Sequence, residues 1–376
     1  MRGEIKISVF LVLISFNFFG QNSTNSFIDP NTPADAKPVG ISGNWNLDFS
    51  DEFNDTTINP LKWIVSVSDR SRGARPNLGV TDWRWVAANA FLNGTSDLVL
   101  RGTKVNNSTM RCGSVESRGL YEPTYGYMEA RIKVASTAKG NHTAFWLQGK
   151  NQGNVDNSGA DGAEIDIFES AWVSNNTGVA VHFDGYNAAT KKNYGFSYNA
   201  LNIHNGYHIF GLLWTPTLLE VYYDGVKVVS KNASRSSTIT VDTNGYPVVP
   251  QVPEWLWLSV GASFADGDFQ SQAVGTLSDA FVDYVRVYKS ATPLGINETN
   301  FKEKFKIYPN PAQNTVTIES EAEYISVKVY DINGKLILST KKLLNKTLDV
   351  SSFEKGTYIF KLFSKEDSIS QKVVIE

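Results

Sequence analysis

The chain has 376 residues, of which 41% are hydrophobic, 19% charged and 12% aromatic, a composition that buries a core and excludes a disordered chain. Its 35 basic and 38 acidic side chains leave a formal net charge of -3, which removes generic binding to nucleic acid or to an anionic membrane surface. The single cysteine, Cys112, excludes an intramolecular disulfide and a cysteine-based zinc site, and is expected to be a small buried apolar residue.

In residues 1–20, MRGEIKISVFLVLISFNFFG, Arg2 and Lys6 precede an apolar run from Ile7 to Phe19. The run is short for a bilayer span and polar sequence follows it, the pattern of a cleaved export signal; an uncleaved anchor is the alternative. Residues 21–42 are rich in Asn, Ser, Thr and Pro without a hydrophobic period and read as a linker. From 43 to 289, short alternating runs bounded by Gly, Asn, Asp and Pro recur, as in TYGYMEARIKVAS, LLEVYYDGVKVVS and DYVRVYK. These are strands, with Asp224-Gly225 as a tight hairpin turn. They predict an all-β fold, a two-sheet β-sandwich of jelly-roll size.

Composition breaks over residues 290–303: all nine Trp precede residue 258, and no Arg follows Arg286. Residues 304–376 alternate again, in TVTIES, ISVKVYDINGKLILS and GTYIFKLFS, with Asn333-Gly334 as a hairpin signal. A small second β-sandwich is expected there. Its Lys-rich, Trp-free composition suits attachment or sorting rather than chemistry.

The segment richest in chemistry is DGAEIDIFES, residues 161–170, where Glu164, Asp166 and Glu169 alternate imperfectly with Ile165, Ile167 and Phe168. In a regular strand Glu164 and Asp166 share a face and Glu169 points to the opposite, apolar one, where a carboxylate would cost several kcal/mol. One extra residue, a β-bulge between Asp166 and Glu169, turns all three acids toward one cleft. Five residues at about 3.3 Å separate the outer Cα atoms by about 16 Å, less with a bulge. Side chains leaning inward leave a gap of about 5 to 8 Å, which brackets the separation of a retaining glycosidase and overlaps the inverting range at its upper end. One Glu would attack the anomeric carbon, the other would protonate the leaving oxygen, and Asp166 between them would tune both. A solvated strand face or a calcium loop in NVDNSGADG are the alternatives, although the EF-hand ligand spacing is not met.

Sugar rings stack on Trp and Tyr. Trp83 and Trp85 flank Arg84 in TDWRWVAANAF, Trp146 precedes the acids in HTAFWLQG, and Trp172 follows them; each is a candidate platform, Trp146 first. Arg70, Arg72, Arg75 and Arg84 crowd into DRSRGARPNLGVTDWRW. Arginine grips sulfate and carboxylate in a fork that lysine does not match, so the group suggests an anionic polysaccharide. His142 and His182 are near the acids in sequence, with His182 on a strand expected beside theirs.

At EIDIFE the chain resembles glycoside hydrolase family 16, whose members carry E-x-D-x-x-E on a bulged strand of a concave jelly roll and hydrolyse with retention. The likeness spans residues 45–289 and includes FSDEFN, YGYMEARIKV, AFWLQG, YHIFGLLWTPTLLEVYYDG and FVDYVRVYK. It implies Glu164 as nucleophile, Asp166 as assisting acid and Glu169 as acid/base, with no catalytic metal or other cofactor. It also implies a structural calcium on the convex side, for which Glu52 and Asp283 are the candidates.

The contexts DWRW, HTAFWLQG and ADGAEIDIFESAW resemble red-algal galactan hydrolases more than laminarinases or lichenases, whose Trp-Pro segment is absent. With the arginines, this favours a β-porphyranase acting on sulfated porphyran over a β-agarase; carrageenase, laminarinase, transglycosylase and a non-catalytic carbohydrate-binding protein are the alternatives. The tail segments FKIYPNPAQNTVTI, VYDINGKLI and GTYIFKLF resemble the C-terminal sorting domain of the type IX secretion system. That likeness implies export through the periplasm, the secretion machinery as a partner, and N-x-S/T triplets at Asn93 and Asn141 as chance matches. A monomer is expected.

Overall fold

Period-two alternation builds the sheets. A computed structural model describes residues 27–291, 305–320, 326–331, 335–340, 346–363 and 368–376; the expected export signal, most of the second linker and the Asn333-Gly334 turn lie outside the described residues. Along strand Asn141–Gly149, Phe145 and Leu147 point into the core and are fully buried, while His142, Ala144, Trp146 and Gln148 face a cleft. The described helices are three single 3-10 turns, Pro76–Leu78, Ala87–Asn89 and Thr137–Lys139.

Two sheets form the first compact unit, described over residues 27–291. The seven-stranded sheet runs Lys192–Asn199, Asn176–Phe183, Glu164–Glu169, Asn141–Gly149, Glu254–Ala262, Ser114–Glu116, Ile64–Val65, all antiparallel. An eleven-stranded sheet covers its back, centred on Gly126–Lys133 and Gly275–Ser290. Phe168 and Phe210 stack between the two sheets with ring centroids 3.6 Å apart. Cys112 is buried in this core, as expected. The hairpin at Asp224-Gly225 is also present, with φ of 47° and 76° between paired Tyr223 and Val226. Gly225 supplies the left-handed conformation that such a turn demands.

Residues 27–40 are more than a linker. Phe27 packs against Phe49 and Tyr121, the Asp29 carboxylate accepts the Glu52 N–H at 2.9 Å, and the Val39 N–H donates to Glu129 at 2.9 Å. The segment is held by one aromatic anchor and isolated polar contacts, which leave no periodic trace in its sequence.

The second unit, residues 293–376, has its own core of Ile307, Val316, Ile318, Val327, Val329, Phe360, Leu362 and Val373. It pairs a three-stranded sheet, Phe305–Tyr308, Thr315–Ser320 and Thr347–Asp349, with a four-stranded one built on Ser326–Asp331 and Gly356–Phe363.

Candidate active site

The acidic strand Glu164–Glu169 sits between the strand bearing Trp146 and the strand bearing His182. Glu164 pairs with His182 and Asp166 with Ala180, but the register then slips, so that Ile167 and Phe168 together oppose Val179 and Glu169 meets Gly178. The slip recurs against Asn141–Gly149, where Asp166 pairs with Trp146 and Phe168 with Phe145. The irregularity is a β-bulge: two consecutive apolar side chains enter the core, and Glu169 returns to the face of Glu164 and Asp166. Ile165, Ile167 and Phe168 are buried beneath, and the three acids line one cavity of about 550 Å³.

Crowding three carboxylates raises the energy of full ionisation. Burial pushes the Glu164 carboxyl above its ordinary range, and the charge of Glu169 adds to the effect against His182, Tyr186 and Arg72. Asp166 is driven well up by burial and then by its two acidic neighbours. His182 answers them: its Nε2 lies 3.4 Å from Asp166 Oδ2 and 4.0 Å from Glu164 Oε1. Burial alone would lower the imidazole, but Asp166, Glu164 and Glu169 outweigh it and raise it to about 9. The site therefore carries an imidazolium among its acids at neutral pH. His142 flanks the other end, with Nε2 3.2 Å from Glu169 Oε1.

Tryptophans form the floor. Trp146 stacks on Trp257 at 4.2 Å and 8°, with its indole N–H on Ser259 Oγ at 3.1 Å. Trp85 follows at 5.2 Å from Trp257, and Trp83 stands edge-on to Trp85. Arg72 lays its guanidinium over Trp85 at 3.6 Å, and Arg75 lies over Trp83 at 5.5 Å while its Nε donates to Ala262 O. Both arginines line the cavity of the acids. A wider continuation of about 910 Å³ adds Arg70 and Arg118 and shares Arg72, Trp85, Tyr186 and Trp257.

Two expected substrate contacts are not brought to these acids. Arg84 alternates with Trp83 and Trp85 along strand Asp82–Trp85 and so turns to the opposite face, where it donates to Asp82 at 3.0 Å and to Asp69 O at 3.1 Å. Trp172 lies past the end of the acidic strand, edge-on to Phe264 at 5.6 Å, and is not among the cavity's lining residues. The calcium candidates are also engaged elsewhere. Both carboxylate oxygens of Glu52 are held by Arg286, through Nε at 2.9 Å and Nη2 at 2.8 Å, and Asp283 pairs with Arg131 at 2.6 Å, so the two do not fit a shared cation. Among the described residues, one trio of ligand-type side chains converges within 4.8 Å, and it is Glu164, Asp166 and His182.

Sequence reasoning missed Tyr186, Gln148, Trp257 and Ser259, which complete the cavity. For Gln148 and for Trp257 with Ser259 a signal existed: each shares the parity of cleft-facing residues on its own strand, Glu254–Ala262 being the second.

The family model described as Beta-porphyranase A-D, GH16 domain matches residues 44–290, more than half of the chain. The chain belongs to glycoside hydrolase family 16. Its tail, residues 306–376, matches a secretion system C-terminal sorting domain, which marks this family 16 protein for type IX export to the medium or the cell surface. Beta-agarase D of Zobellia galactanivorans is 22% identical over 99% of this chain and 100% of its own length. Glucan endo-1,3-beta-glucosidase A1 of Niallia circulans is 26% identical over 69% of this chain, which spans only 39% of that relative. Among solved structures, the endo-beta-1,3-glucanase of Pyrococcus furiosus superposes with a TM-score of 0.52 at 22% identity, covering 67% of this chain and 98% of that one. A Bacteroides ovatus mixed-linkage glucan GH16 enzyme gives 0.51 at 22%, covering 64% and 99%. These two likenesses establish the jelly-roll fold.

Proposed function

We propose that this family 16 enzyme is a retaining endo-β-galactanase whose substrate is the sulfated galactan porphyran. The observation that carries the substrate class is Arg72: among the described residues its guanidinium has no hydrogen-bond or ion-pair partner, yet it lies on the Trp85 ring inside the cavity of the acids. A cation stacked on an indole with its donors uncommitted suits a sulfate on a sugar whose apolar face meets the tryptophans.

In this reading Glu164 attacks the anomeric carbon while Glu169, as the acid, gives its proton to the glycosidic oxygen and the C–O bond breaks. The glycosyl ester on Glu164 is then released by water, whose proton passes to the Glu169 carboxylate. Asp166, driven well up by burial and its acidic neighbours, and the cationic His182 keep the cluster short of full negative charge. A β-agarase acting on neutral agarose is the second reading, favoured by the full-length alignment with Beta-agarase D.

The test is product sizing after incubation with porphyran, agarose, carrageenan and laminarin. Rapid shortening of porphyran with slower loss of agarose is expected; laminarin cleavage without galactan cleavage would reverse the substrate class. Glu164→Gln should lower hydrolysis by several orders of magnitude and leave oligosaccharide binding intact.

A further inference from the structure

We infer that Tyr186 is a positioning residue for Glu164, holding one oxygen of its carboxylate so that the other is aimed at the sugar. The inference rests on the reading of Glu164 as nucleophile. Tyr186 sits at the tip of an arm that leaves strand Asn176–Phe183 through two left-handed residues, Asp184 at φ 60° and Gly185 at φ 76°. They reverse the chain toward the face of the acids.

The root of the arm is fixed. The Asp184 carboxylate is fully buried and accepts Lys192 Nζ at 2.8 Å and the N–H groups of Asp156 and Asn157 at 3.3 and 3.2 Å. Thr190 Oγ1 closes the loop on Asp184 O at 3.0 Å. One buried carboxylate thus ties the arm to the loop before the acidic strand and to the first residue of strand Lys192–Asn199.

At the tip, the Tyr186 hydroxyl donates to Glu164 Oε2. Gln148 Oε1 lies 3.3 Å from the same hydroxyl, but a phenol has one proton and a carboxylate is the stronger acceptor. His182 faces the other oxygen of Glu164. Arg72 from its loop, Asp166 and Glu169 from the same strand, and Glu254 from strand Glu254–Ala262, one strand beyond Asn141–Gly149, complete the charged surroundings. Three of these groups are acids, so loss of the phenolic donor leaves only His182 and Arg72 favouring the ionised form. The same hydrogen bond serves both halves of the reaction: it orients the carboxylate for attack and stabilises the charge returning to that oxygen as the ester breaks.

The experiment is the pH dependence of kcat/KM for the full chain and its Tyr186→Phe variant, on whichever of porphyran, agarose and laminarin the wild type cleaves. Tyr186 is 61% exposed, so the phenyl ring should keep the fold, checked by an unchanged Tm. A hydrogen bond to the ionised form holds a carboxylate down, so its removal should move the acidic limb up by about one pH unit and lower kcat about tenfold or more, with KM changed by less than about threefold. Superimposable acidic limbs, or a loss confined to KM, would reduce Tyr186 to a wall of the cleft and overturn the inference. Glu164→Gln separates the two levels. If that variant stays active, the nucleophile reading and the inference both fall; if it is inactive while Tyr186→Phe keeps the wild-type limb, only the inference falls. A wild type that cleaves none of the three polysaccharides overturns both.

Discussion

Arg72 and Arg84 come from one arginine-rich segment and have different fates. Period two along DWRW already separates Arg84 from Trp83 and Trp85, so its absence from the cleft was legible in the sequence once the tryptophans were taken as inward. Arg72 precedes the strand in irregular chain, and only the folded loop lays it on Trp85. The consequence is a difference in substrate selectivity. Lysine keeps the charge of Arg72 but loses the planar fork and its fit to the indole, a loss of about 1.5–3 kcal/mol at a charged hydrogen bond. Arg72→Lys should therefore cut kcat/KM on porphyran about tenfold or more and on agarose by less than about threefold, whereas Arg84→Lys should affect both substrates equally and little. Paired assays on the two galactans check this, and equal losses for Arg72→Lys would make it structural. Tyr186 had no such signal: FDGYNAATKK has no period, and its reach to Glu164 depends on two left-handed residues and on the buried anchor Asp184.

At the scale of the element, the bulge is what makes the acidic strand work, and the sequence announced it through a conflict: three acids and three apolar residues do not alternate cleanly unless one position is doubled. The structure doubles it at Ile167 and Phe168. Strand identity and the facing of the acids were thus readable, while the partner strands and their registers were not, because pairing between distant segments has no local signature. The doubled position must be held from behind. Phe168 is fully buried and stacks on Phe210 across the sheet interface, so Phe168→Ala opens a cavity where the strand is irregular, at a cost of about 3–5 kcal/mol. The expected outcome is a Tm lowered by about 6–20 °C, at about 2–4 °C per kcal/mol for a domain of this size, with Phe168→Leu intermediate. A Tm within a degree of wild type, measured by calorimetry, would mean that this packing does not support the bulge.

Across the whole molecule, the strap at residues 27–40 brings the Val39 N–H onto Glu129, fully buried on strand Gly126–Lys133 of the eleven-stranded sheet. Nothing in the sequence marked this contact, because Glu129 in YGYMEARIKV reads as an ordinary solvated strand residue. Burial raises its carboxyl to about 7, against the opposing Val39 N–H and the charge of Arg286. Between the ordinary value of 4.5 and about 7, the folded protein keeps a proton that the unfolded chain has released. Stability therefore declines as pH rises through that window, by on the order of 3 kcal/mol in total, and the decline from this group is complete above it. His182 acts in a higher window: its contribution is full below 6.5 and is lost as pH rises through about 9. Comparing pH 5 with pH 7 isolates Glu129, since the buried acids of the cleft titrate alike in wild type and variant. Glu129→Gln mimics the protonated form, so its Tm should exceed the wild type only slightly at pH 5, near the foot of the window, and by several degrees at pH 7. Parallel curves of Tm against pH for the two proteins would show that Glu129 is ionised within the fold at no cost, and that the strap does not seal it from water.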